Sequence, residues 1–109
     1  MAWLLRRGEV LASLEVAHDV KARLRGYAGR EDDRSVLLLQ PARSAHSIGS
    51  HARLDVAYLD RELSVLKTRD LAPFRLAPPN RHSAAVLLAG CGAFERWGLR
   101  VGDQLEVRS

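Results

Sequence analysis

The stretch HSIGSHARLDVAYLD, His46 to Asp60, decides how the chain is expected to fold. Its first half is polar and bends at Gly49. Its second half, Leu54 to Leu59, is apolar everywhere except at Asp55. So short a run, apolar on both faces, predicts a strand lying deep in a sheet. A carboxylate at the mouth of such a strand is costly unless something bonds to it. Two readings follow. Asp55 is structural, held by loop amides or by an arginine such as Arg30 or Arg53, or it is a general base or ligand anchor. The first predicts that removing it destabilises the fold. The second predicts that removing it spares the fold and abolishes binding.

Working outward, the same pattern recurs. Val36-Leu37-Leu38-Leu39, inside Ser35 to Gln40, predicts a second strand buried on both faces, ended by Pro41. Ala84 to Ala89 predicts a third. Ala2 to Arg6 reads as a short strand before an Arg7-Gly8 turn. In Val10 to Val16 period-two alternation marks a half-buried strand. Asp60-Arg61-Glu62 turns the chain, and Leu63 to Thr68 is expected to return as the antiparallel partner of 54–59. Gln104 to Val107 closes the domain after a Val101-Gly102-Asp103 turn, with Leu105 and Val107 facing in.

Two brief helices are predicted. One runs from an Asp19 N-cap to about Ala28, with Val20, Leu24 and Tyr27 on one face. The other is a single turn, Ala93 to Trp97, with Gly98 as its left-handed stop. Pro73, Pro78 and Pro79 keep 71–80 irregular, with Phe74 and Leu76 expected to pin it to the core. Together these elements predict a mainly β (α+β) fold. The expected form is a small single-domain β-barrel or sandwich of mostly antiparallel strands with two short helices, spanning 1–109.

Composition bounds the function. The chain has 109 residues, 47% apolar and 28% charged, enough for one core and a polar surface. No apolar run approaches the roughly 18 residues of a membrane span, and Arg6, Arg7 and Glu9 interrupt the start too early for a secretory signal. A cytoplasmic protein is expected. Cys91 is the only cysteine, so an internal disulfide and a cysteine-based zinc site are excluded, and it is expected to be small and buried. The net charge is +4 and the pI about 10.0. Among the 17 basic residues only Lys21 and Lys67 are lysine. The arginines are scattered among acids and do not interleave with aromatics, as single-strand nucleic-acid binders require. A solvated basic surface is therefore the expectation, with nucleic acid and membrane not expected as partners.

In order and spacing, four segments resemble the bacterial and archaeal family named domain of unknown function 192. RLRGYAGRED, around Gly26, Gly29 and Arg30, is similar to that family's helix end. SVLLLQP, Ser35 to Pro41, is similar to its Met-Leu-Phe strand. HSIGSHARLDVAYLDRELSVL is similar to its central turn and Ile-Asp or Leu-Asp strand. AAVLLAGCGAFERWGLRVGDQLEV is similar to its closing strand, small turn, helix and Gly-Asp hairpin. The resemblance covers about 14–107 and implies a compact, mainly β domain without an agreed reaction. The chain departs from the pattern at Tyr27-Ala28 (usually Leu-Met), at Ser50 (usually Met) and at Arg53 (often Pro). Arg30, Gly49, Asp55, Gly102 and Asp103 match.

The chemistry left to weigh is sparse. His46, His51 and Asp55 carry the donors of a metal site, yet they are not on one helix. Ser47 or Ser50, a histidine and Asp55 would make a nucleophilic triad on paper, but no G-x-S-x-G elbow is present. Gly90 and Gly92 lack the lysine and βαβ context of a phosphate loop. Glu15, Asp60 and Glu62 make no convincing acid pair for glycoside chemistry. Trp3 and Trp97 are expected to pack.

The sequence is therefore read as a non-enzymatic ligand-binding or interaction module, with no cofactor. Its cleft lies near the 46–55 loop and involves Arg30, His46, Gly49, Ser50 and Asp55. The partner would be a small polar or anionic ligand, or a protein. The alternatives are a metal-assisted or acid-base hydrolase using His46, His51 and Asp55, and nucleic-acid binding by the basic surface.

Overall fold

The structure is a computed structural model that describes residues 2–17, 35–45 and 53–109. The expected helix from Asp19 lies outside the described residues. The elements are β1 (Ala2–Arg6), β2 (Glu9–Ala17), β3 (Ser35–Leu39), β4 (Leu54–Leu59), β5 (Val65–Leu71), β6 (Ala85–Gly90), α1 (Ala93–Trp97) and β7 (Glu106–Arg108). The mainly β expectation is borne out. All seven strands form one sheet in the order β5-β4-β6-β3-β2-β1-β7. Every pairing is antiparallel except β2 with β3, which is parallel.

The central position of β4, β6 and β3 explains their unbroken apolar runs. Leu37 to Leu39, Val56 to Leu59 and Ala85 to Ala89 are all buried, because both faces of these strands are covered. Alternate residues feed two cores. Val36, Leu38, Ala57, Leu59, Leu87 and Phe94 pack on one face. Leu37, Leu39, Val56, Tyr58, Val86 and Leu88 pack on the other. Each such side chain contributes about 1.5–3 kcal/mol of burial.

The sheet does not close into a continuous barrel ladder. Its two ends are joined by a bridge between Ser64 and Gln104. Beside that bridge lie three backbone bonds: Val65 N–H to Asp103 O, Gly102 N–H to Val65 O, and Leu105 N–H to Leu63 O. These contacts occupy 63–65, before β5 is properly under way.

Four expectations are corrected. Phe74 and Leu76 do not pin the 71–80 segment, since they are 55% and 72% exposed. Backbone and one hydroxyl anchor it instead: Ala77 is buried and donates its N–H to Ala45 O, and the Tyr58 hydroxyl donates to Pro78 O at 2.6 Å. Proline-rich chain has few side-chain routes into a core, so a small residue with a free amide does the anchoring. Cys91 is exposed, because the turn that leaves β6 lifts it off the sheet. Trp3 is 41% exposed on β1, whereas Trp97 packs partly against the core with its ring centroid 5.7 Å from that of Phe94. The returning strand also begins two residues later than Leu63, at Val65, and carries a bulge at Leu66 opposite the Tyr58–Leu59 step.

Candidate functional site

α1 is too short to hold itself together, and its N-cap residue is Gly92, which has no side chain to cap with. The missing acceptor comes from β4. Asp55 Oδ2 accepts the Gly92 N–H at 3.1 Å and the Phe94 N–H at 3.0 Å. A carboxylate at a helix start also matches the positive end of the peptide dipoles. At the other end, Gly98 stands at φ 64° and its N–H returns to Glu95 O, while Leu99 N–H returns to Phe94 O. The Arg6 guanidinium reaches across from β1. It donates to the Trp97 and Gly98 carbonyls and pairs with Asp103 at 3.1 Å. α1 is thus clamped to the sheet at both ends by charged side chains from distant strands.

The strand register places Asp55 directly opposite Asp70 of β5 and beside Ala89 of β6. Like charges facing each other across a sheet repel. The protein gives them different partners: Asp55 has the helix amides, and Asp70 has Arg53. Arg53 donates both Nε and Nη2 to Asp70 Oδ2, at 3.2 and 2.6 Å. That hydrogen bond and charge hold the Asp70 carboxyl below the ordinary carboxylate range and raise the guanidinium. Both groups are more than half exposed, so the pair is a surface pair. Of the partners offered for Asp55, backbone amides hold it, and Arg53 pairs with Asp70 instead.

Asp55 is engaged through one oxygen only. Its Oδ1 accepts no hydrogen bond among the described residues. The carboxylate borders a shallow depression of about 310 Å³ lined by Asp55, Thr68, Asp70, Cys91, Gly92 and Glu95. A larger hollow of about 590 Å³ lies between the Arg7-Gly8 and Gly102-Asp103 turns. Its Arg6 and Asp103 are already paired with each other, so the depression at Asp55 is the better candidate.

Of the predicted site residues, the structure describes Asp55 alone. Arg30, His46, Gly49, Ser50 and His51 lie outside the described residues. Among the described residues no group of three His, Cys, Asp or Glu side chains could hold a metal. Sequence reading missed Arg6 and Thr68. Neither sits in a local motif, and only the strand pairings bring them to α1 and to Asp55.

The family model for DUF192, described as uncharacterised ACR, matches residues 3–107. The chain belongs to the DUF192 family. Among solved structures, one of a protein of unknown function from Novosphingobium aromaticivorans DSM 12444 is similar at a TM-score of 0.78 and 16% identity, covering 96% of this chain and 82% of the other. A second, described as a candidate transcription regulator from Sinorhizobium meliloti 1021, matches at a TM-score of 0.79 and 19% identity, covering 97% and 91%. At these identities the likeness is one of fold. No curated protein matches the chain. Its DUF192 fold is a small β domain of unknown function, and none of its described helices is long and apolar enough to cross a membrane.

Proposed function

We propose that this DUF192 domain is a non-enzymatic, cytoplasmic binding module, and that its ligand is a small polar molecule held in the depression beside Asp55. The observation that carries the reading is the divided carboxylate. Oδ2 is committed to two amides of α1. Among the described residues Oδ1 accepts no hydrogen bond, and the carboxylate that carries it borders the depression. A preorganised acceptor of this kind suits a hydroxyl or ammonium donor. In this reading Arg30, His46, Gly49 and Ser50 complete the rim. Arginine there would suit a ligand with an anionic group as well.

A thermal-shift screen of sugars, polyols, amines and phosphorylated metabolites tests the proposal, run on wild type and on Asp55→Asn. The amide of Asn can keep an oxygen toward Gly92 and Phe94 while it turns a donor toward the depression. A hit that stabilises wild type and leaves Asp55→Asn unshifted supports the proposal. A hit that stabilises both equally rules out Asp55 as the anchor. The basic balance of the chain, 17 Lys and Arg against 13 Asp and Glu, favours one competing reading, nucleic-acid binding. That reading requires affinity for DNA or RNA that falls steeply with salt, and no binding at low salt eliminates it.

A further inference from the structure

Among the described strands, β5 stands at one end of the sheet order, with β4 as its only strand neighbour. Its register with β4 is regular from Lys67 to Leu71, and Leu66 is the bulged residue. Just before this stretch the chain already uses the same edge. Residues 102–105 lie along 63–65 and exchange three backbone bonds with them. That added segment then turns away into β7 and pairs with β1. Among the described residues no strand lies along this edge over 67–71, where alternate residues aim N–H and C=O groups outward and the Arg69 Nε lies 3.5 Å from Asp70 O.

We propose that this open edge of β5, Lys67 to Leu71, binds an acidic extended peptide by strand addition. The backbone supplies the affinity and the side chains select the partner. Lys67 and Arg69 are two apart, so both project from the Tyr58 face of the sheet. Asp70 projects from the other face, where Arg53 pairs with it. An added strand with acids at alternate positions meets both cations, and its opposite face meets the neutralised Asp70–Arg53 pair.

The same charges keep a second copy of the chain off the edge. Antiparallel self-addition needs a twofold axis normal to the sheet, centred on one residue. Centred on Thr68, it sets Lys67 against Arg69 of the second copy. Centred on Lys67, Arg69 or Asp70, it sets that residue against its own twin. Each of these registers opposes like charges, whereas a strand with acids at alternate positions sets them against Lys67 and Arg69 and leaves its apolar positions to face Asp70.

The test uses the full chain and a fluorescein-labelled peptide of alternating Glu and Val, about seven residues long, read by fluorescence anisotropy at low salt. The expected result is saturable binding. It should weaken at least about tenfold for the matching Lys-Val peptide, and be lost when alternate peptide amides are N-methylated, because the ladder bonds then go. Lys67→Glu with Arg69→Glu should reverse the charge preference while circular dichroism shows an unchanged fold. Equal affinity for the acidic and basic peptides overturns the proposal, and so does indifference to N-methylation. A concentration-dependent dimer in sedimentation that the acidic peptide fails to dissociate also overturns it, because the edge then belongs to a second copy.

Discussion

Replacing Asp55 by Ala removes the side chain that caps the start of α1, and the size of the loss can be worked from the contacts. Two amide N–H groups, of Gly92 and Phe94, lose a carboxylate acceptor. Phe94 is buried, so water replaces that acceptor poorly. Truncating an N-cap costs about 0.5–2 kcal/mol, and a hydrogen bond to a charged group is worth about 1.5–3 kcal/mol. The two bonds share one oxygen and one of the freed amides is only half-buried, so the values do not simply add. The expected cost is about 2–3 kcal/mol. For a domain of this size that lowers Tm by about 10–15 °C. Asp55→Asn keeps one acceptor and should cost about 1 kcal/mol. Urea denaturation followed by tryptophan emission is the suitable assay, because Trp97 lies on the helix that Asp55 holds. A loss under about 0.5 kcal/mol for Asp55→Ala would refute the claim that the carboxylate secures α1 to β4.

Arg6→Lys should destabilise measurably, by about 1–2 kcal/mol in the same assay, because an ammonium cannot serve the Trp97 and Gly98 carbonyls and Asp103 at once as the guanidinium fork does. The Asp103 carboxyl is held below the ordinary range, first by the Arg100 N–H and then by Arg6 and Arg7, against an opposing effect of burial. A depressed carboxyl adds stability that is fully present above the ordinary Asp value of about 3.9 and lost as pH falls through the lower folded value. Chemical denaturation of Asp103→Asn between about pH 5 and 2 should therefore give a flatter stability profile than wild type. Leu76→Ser should leave the midpoint within about 0.5 kcal/mol, because that side chain is 72% exposed; a loss of 2 kcal/mol or more would restore it to the core.

What was legible in the sequence was whatever local pattern controls. The limits of β4 and α1 come out as read, because a both-face apolar run and glycine brackets are local signals. The parallel pairing of β2 with β3, and the insertion of β6 between β3 and β4, are not local. Nothing in the flanking residues records which strand lies alongside. For the same reason Asp55 could be marked as an acid in need of a partner, but its partners at Gly92 and Phe94, 37 and 39 residues away, could not be named. Arg53, two residues from Asp55, was the sequence-near candidate. The cross-strand register gave it to Asp70 instead. Phe74 and Leu76 were misplaced because apolar side chains in a proline-bound loop look like anchors, whereas backbone amides and the Tyr58 hydroxyl do that work. Cys91 was misplaced because small flanking glycines suggest burial when they in fact let the turn rise from the sheet.

The most direct test of the central claim is a two-dimensional amide NMR titration of the uniformly labelled protein with any small polar compound that stabilises it. The largest shifts are expected on the amides of Gly92 and Phe94, which share the Asp55 carboxylate with the ligand, and Asp55→Asn, still folded, should show none. Shifts centred elsewhere on the sheet, or equal shifts in Asp55→Asn, would contradict the claim.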